Sequence, residues 1–231
     1  MPTTTLTLIS SMATKALLAD LVAAYSAQHP EVAVAVTSVG GVDAAKRVVA
    51  GEAFDIVALA SDAIEKLAAS GQVAGDSRTD MVHSAVAVAV PAGTPRPDIS
   101  TEAALRAAVL AAPTLGYSTG PSGVQLAKLF ERWGIAQEIA PRIVTPPPGT
   151  SVGSLVAKGE VALGFQQLSE MTGVQGIDVI GGLPEAVQIV TTFSAARATV
   201  SAQTGAVQGF LAFLASPQTA ELKQRHGMTP A

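Results

Sequence analysis

Residues 54–60 read Phe-Asp-Ile-Val-Ala-Leu-Ala, an apolar run broken only by Asp55, and "SDAIEKLAASG" follows it with helical spacing. A strand with no polar alternation must be covered on both faces, which is the setting of a parallel sheet flanked by helices. The preceding segments repeat the arrangement. "TLTLIS" (5–10) is a strand, and Leu17, Leu18, Leu21, Val22 and Tyr25 then fall on one helical face. "VAVAV" is a second strand, followed by the turn "TSVGG" and a helix over "DAAKRVVAG", with Asp43 expected as its N-cap and Gly51 as its stop. Asp62 and Glu65 are spaced as a capping box for the next helix. The order β-α-β-α-β-α makes this an α/β protein.

A strand over 83–93 ends in Pro and Gly, and the alternation restarts at "TLGYS". A helix over 122–133, a strand at "RIV", a helix over 151–158 and the strand "VALGF" follow. Two extended segments in "QIVTTFSAARATVSA" and two helices close the chain. The last helix has Ser216 as N-cap, Pro217 at its first position and Gly227 as stop. Two β-α sets joined by two long strands predict two α/β lobes with a double-strand hinge and an interdomain cleft. Lobe 1 is discontinuous, 1–83 plus 192–231, and lobe 2 is 84–191.

Composition removes several chemistries. There is no Cys, so no disulfide, thiol nucleophile or thiolate metal site is possible. His29, His83 and His226 lack metal-ligand spacing, so no metal is expected. The 14 Lys and Arg are scattered against 18 Asp and Glu, which argues against nucleic acid as a partner. No apolar run approaches the ~18 to 20 residues that span a bilayer, so no membrane insertion is expected. "GPSG" lacks the Lys and spacing of a P-loop, and no dinucleotide fingerprint or G-x-S-x-G elbow occurs. No cofactor is expected. The N-terminus enters a strand without an export signal, which as written predicts a cytoplasmic chain, or a periplasmic one if a signal peptide has been removed.

Four helix starts carry small polar residues: 10–15, 40–46, 118–123 and 149–151. Free N–H groups and the positive end of the dipole suit such starts to anions. The candidate ligand-binding residues are Ser10, Ser11, Thr14, Lys15, Gly40, Gly41, Lys46, Ser118, Thr119, Ser122 and Gln167. Lys15, Lys46 and Arg47 are read as first-turn cations, a breach of the dipole rule that marks functional sites. Solvent exposure, or pairing with Asp43 and Glu52, is the plainer reading of these cations. Gln166 and Gln167 end a strand, where amides can donate to carboxylate oxygens or simply cap a loop.

Over almost its full length the chain resembles the molybdate-binding periplasmic proteins of ABC importers, which have the type II periplasmic-binding-protein fold. The likeness runs through "LTLISSMATKALLADL", "RVVAGEAFDIVALASD", "GYSTGPSGVQLAKLFERWGI", "VAKGEVALGFQQLSEM" and "FLASPQTAELKQRHGM". It implies an oxyanion held by helix N-termini and small hydroxyls between two hinged lobes, and an ABC permease as partner if the chain is exported. The chain departs from that family's pattern in having Ala13 at the first helix start, Gly40-Gly41-Val42 in place of a Ser-rich turn, and Gln167 where a Tyr is usual. Lost hydroxyls and nearby cations favour a small di- or tricarboxylate over molybdate. The expected function is therefore that of a receptor for a small organic oxyanion. The alternative is a carboxylate isomerase of the aconitate cis/trans type, an activity known on a protein resembling this family, with Lys15 as the catalytic base.

Overall fold

A computed structural model describes residues 4–147 and 149–231. It divides into two compact units, Met1–Ser84 with Thr192–Ala231, and Ala85–Thr191. Two strands, β4 (Thr79–Pro91) and β9 (Val190–Arg197), belong to both.

In the first unit, β1 (Thr4–Ser11), α1 (Lys15–Gln28), β2 (Val32–Val39), α2 (Gly41–Val49), β3 (Ile56–Ala60) and α3 (Ser61–Ala69) precede β4. The strand order is β2-β1-β3-β9-β4, with β1 parallel to both β2 and β3, and β9 antiparallel to β3. All five residues of β3 are buried because helices cover both faces. Leu6, Leu8, Ile56 and Ala58 pack on one face against α1 and α9 (Thr204–Ala215). Ile9, Val57 and Leu59 pack on the other against α2 and α3. Each fully buried aliphatic side chain contributes roughly 1.5 to 3 kcal/mol. Helix α10 (Ala220–Arg225) and β10 (Met228–Pro230), antiparallel to β4, complete the unit.

The second unit holds α4 (Glu102–Ala111), β5 (Leu115–Tyr117), α5 (Pro121–Arg132), α6 (Ala136–Ile139), β6 (Ile143–Val144), α7 (Val152–Ala157), β7 (Leu163–Gln167), α8 (Leu168–Met171) and β8 (Ile177–Gly182). Its order is β4-β7-β5-β6, with β5 parallel to both neighbours and β8 antiparallel to β4. One face buries Leu163 and Phe165 under α4 and α5, and the other buries Val152, Leu155 and Val156 of α7.

Several local expectations are corrected. Helix α2 starts at Gly41 with Gly40 as its N-cap, so Asp43 sits inside the first turn and is not the cap. Lys46 and Arg47 consequently lie in the last turn, where the dipole favours cations. Asp62 and Glu65 form no capping box. Helix α3 begins two residues earlier than that box requires, at Ser61 with Ala60 in the N-cap position and no side-chain cap, and the two acids pair with Lys66 and Arg78. The closing helix is a 3-10 turn over Pro217–Thr219 running into α10, with the Ser216 hydroxyl accepting from the Gln218 N–H. Strands β8 and β10 were not expected from the sequence. Both are short, and pairing with β4 is what makes them strands.

Candidate functional site

Unit 1 presents its hydroxyls where β1 and β2 end side by side. Ser10 lies opposite Ser38 in the parallel ladder, and their Oγ atoms are 2.8 Å apart. Ser11 ends β1, and its buried Oγ has no hydrogen-bond partner among the described residues. A buried hydroxyl left unpaired costs about 1 to 3 kcal/mol, so Ser11 is poised for an acceptor supplied from outside the fold. A Cβ added to Gly41, the first residue of α2, would lie 3.6 Å from the Ser11 Cβ, so the orphan hydroxyl stands beside that helix start. No side chain caps α2. Ser11, Gly40 and Gly41 are thus brought together, while the Ser10 side chain faces the other side of the sheet, against Ser38.

The other unit 1 candidates differ. Thr14 is buried and donates its hydroxyl to the Ser11 carbonyl at 3.2 Å, so it braces the turn between β1 and α1. Lys15 opens α1 and is exposed. Lys46 is exposed and its ammonium stands 4.0 Å from Asp43, while Arg47 is bound to Glu52, so the plainer reading of these two cations holds.

Unit 2 builds its own helix start on the Ser118–Gly123 turn. Tyr117 pairs with Phe165 across β5 and β7, so the turn and the Gln166–Gln167 end of β7 leave the sheet at the same edge. Gly120 is the N-cap of α5, Pro121 is its first residue, and no side chain caps it. Ser122 is buried, Ser118 is half-buried and Thr119 is exposed. A Cβ on Gly123 would sit 1.6 Å from the Ser118 carbonyl oxygen, so only glycine lets the helix start fold this closely over Ser118.

Gln167 is buried, with Nε2 2.8 Å from the Thr191 hydroxyl and Oε1 without a partner. A hydroxyl donates or accepts equally well, so Thr191 satisfies the amide in either orientation. Turned over, Gln167 offers an unpaired N–H₂ to an anion.

Sequence reasoning missed one group here. Gln166 accepts the Gly153 N–H at 3.1 Å through Oε1 and donates through Nε2 to Glu170 at 2.9 Å. Removal of the half-buried Glu170 carboxyl from water pushes it up to about 7, against the lowering effect of the Gln166 amide. The available signal was the four-residue spacing of Gln166 and Glu170 across a strand end. Ser151, by contrast, is a plain cap, accepting from the Ser154 N–H at 3.1 Å. Among the described residues no group of three or more His, Asp or Glu could hold a metal ion, and no helix is long and apolar enough to cross a membrane.

The family model described as bacterial extracellular solute-binding protein matches residues 6–229. The chain belongs to this family. The chain is 37% identical over 234 residues to a Pseudomonas protein named aconitate isomerase, covering 99% of this chain and 89% of that one. Among solved structures, the Azotobacter vinelandii periplasmic molybdate-binding protein matches with TM-score 0.79 at 19% identity, over 97% of this chain and 98% of that one. The sulfate-binding protein SubI from Mycobacterium tuberculosis matches with TM-score 0.78 at 17% identity, over 99% and 87%. These likenesses show the periplasmic-binding-protein fold of type II in this solute-binding family member.

Proposed function

We propose that this solute-binding protein binds a small polycarboxylate of the aconitate class. The observation that carries this reading is the 37% identity, over 99% of the chain, to a protein named aconitate isomerase. The site chemistry agrees with it. Carboxylate oxygens accept hydrogen bonds, and Ser11 and a turned Gln167 are buried donors awaiting an acceptor. In the receptor form of this reading the chain hands its ligand to an ABC permease outside the cytoplasm. Thermal unfolding in the presence of trans-aconitate, cis-aconitate, citrate, molybdate and sulfate tests the ligand class. A ligand at ~100 times its dissociation constant adds about 2.7 kcal/mol to stability. Stabilisation by molybdate or sulfate with none by the carboxylates would overturn the reading.

The same relative's name favours a second reading, in which the bound carboxylate is isomerised. Aconitate carries a methylene that is both allylic and adjacent to a carboxylate. Removing one methylene proton and returning a proton to the former vinylic carbon moves the double bond one place. One C–H bond is broken and one formed, with no oxidant or cofactor consumed. Proton NMR with trans-aconitate in deuterium oxide decides between receptor and isomerase, since a receptor leaves the methylene signal and the isomer ratio unchanged.

A further inference from the structure

The isomerisation reading requires a base, and the exposed Lys15 is the group the sequence offered for it. Resting on that reading, we infer that Glu170 is the proton-carrying group, held for the task by the Gln166 amide and standing just beyond the end of β7.

The geometry supports this in three ways. Glu170 follows β7 at the edge where the Ser118–Gly123 turn also leaves the sheet, in register through the Tyr117–Phe165 pair. Its carboxyl is half-buried and bonded at 2.9 Å to Gln166, whose other end is fixed at 3.1 Å by the Gly153 N–H. One oxygen is thereby held while the second is left for proton exchange. Moreover, no cation among the described residues forms an ion pair with it. The packed elements β7 and α7 carry no ionisable side chain, Lys158 just beyond α7 is exposed, and Asp178 of β8 is tied to Arg96 at 3.1 Å.

A carboxyl that resists ionisation until about pH 7 is matched to accepting and returning a carbon-bound proton at neutral pH. In the step itself, Glu170 as carboxylate takes the methylene proton, and the electron pair of that C–H bond becomes the new double bond. The electrons of the old double bond then accept the same proton, or one exchanged with water, at the former vinylic carbon.

The test uses the full chain with trans-aconitate in deuterium oxide, followed by proton NMR, with ligand-induced thermal stabilisation measured in parallel. Glu170→Gln is expected to bind trans-aconitate while isomerisation and methylene exchange fall by about 10²- to 10⁴-fold. The wild-type rate should rise with pH through about 7, a dependence the residual rate of Glu170→Gln lacks. Glu170→Asp, which keeps the carboxyl but withdraws it by one methylene, should retain part of the rate and the rising pH profile. Wild-type rate and pH profile in Glu170→Gln would overturn the assignment. If that variant does not fold, full wild-type turnover in Glu170→Asp overturns it instead. A wild-type protein that binds trans-aconitate but neither converts nor exchanges it removes the isomerase reading and the role of Glu170 together, leaving the binding reading in place.

Discussion

Each unit contains one half-buried carboxyl with neutral hydrogen-bond partners, and the two are treated in opposite ways. In unit 1, Asp55 accepts from the Thr7 N–H at 2.8 Å, the Thr7 hydroxyl at 3.0 Å and the Ser201 hydroxyl at 2.6 Å. Burial pushes its carboxyl up, but these three donors outweigh burial and hold it below the ordinary aspartate value. In unit 2, Glu170 has Gln166 as its one donor among the described residues, and burial wins. Donor number and depth of burial together decide the outcome, since Glu170 is the more deeply desolvated of the two as well as the one with fewer donors. A carboxylate saturated with donors ties β1, β3 and the segment after β9 together, whereas one with a single donor remains free to exchange a proton. The two helix starts differ in a parallel way, since Gly41 has ordinary space beside Ser11 and Gly123 has none beside Ser118.

The sharpest break in that second contrast is Gly123→Ala. Its Cβ meets a backbone carbonyl that cannot rotate away, so a loss of about 3 kcal/mol or more in chemical denaturation is expected, with ligand stabilisation abolished. Asp55→Ala strands the Thr7 and Ser201 donors and should cost about 2 to 3 kcal/mol at pH 7. Because the folded carboxyl lies below the ordinary value of 3.8, its contribution is present above that value and is lost as pH falls through the folded one. The deficit of the variant should therefore shrink in acid.

Glu170→Gln has the opposite sign. The folded carboxyl keeps its proton up to about 7 and the unfolded one releases it near the ordinary 4.5, so wild-type stability declines across that window. The variant should be more stable than wild type by about 1 to 3 kcal/mol at pH 8 and indistinguishable from it at pH 4. Equal stability at pH 8 would show that the contrast between the two carboxyls is unreal. Gly41→Ala is the smallest change. With only van der Waals contact at 3.6 Å and a helical backbone, it should alter stability by less than about 1 kcal/mol.

The alternation from β1 to α3 was legible because each strand and each helix carries its own period, and the burial of all of "IVALA" follows from that apolar run. The helix starts at Gly41 and Pro121 were legible because small polar residues after an apolar strand announce a helix start. The first-turn reading of Lys46 depends on an N-cap at Asp43, whereas the cap of α2 is Gly40, three residues earlier, so the cation lies in the last turn, in an exposed pair with Asp43. Apart from its spacing from Gln166, Glu170 is not marked by its local sequence, because its desolvation and its bond to Gln166 arise only in the packed fold.

What the sequence by itself determined is the set of elements, their order and the chemical character of the helix starts, since these depend on residues near one another in the chain. Tertiary structure alone decided which polar atoms are left over. Ser11 is an orphan because α2 and β2 pack beside it without offering an acceptor, and Ser10 is not, because the parallel register sets Ser38 opposite it. The same holds for the two carboxyls. Desolvation and donor count are properties of the packed surroundings, so Asp55 and Glu170 acquire opposite proton affinities only once strands distant in sequence have been laid against them.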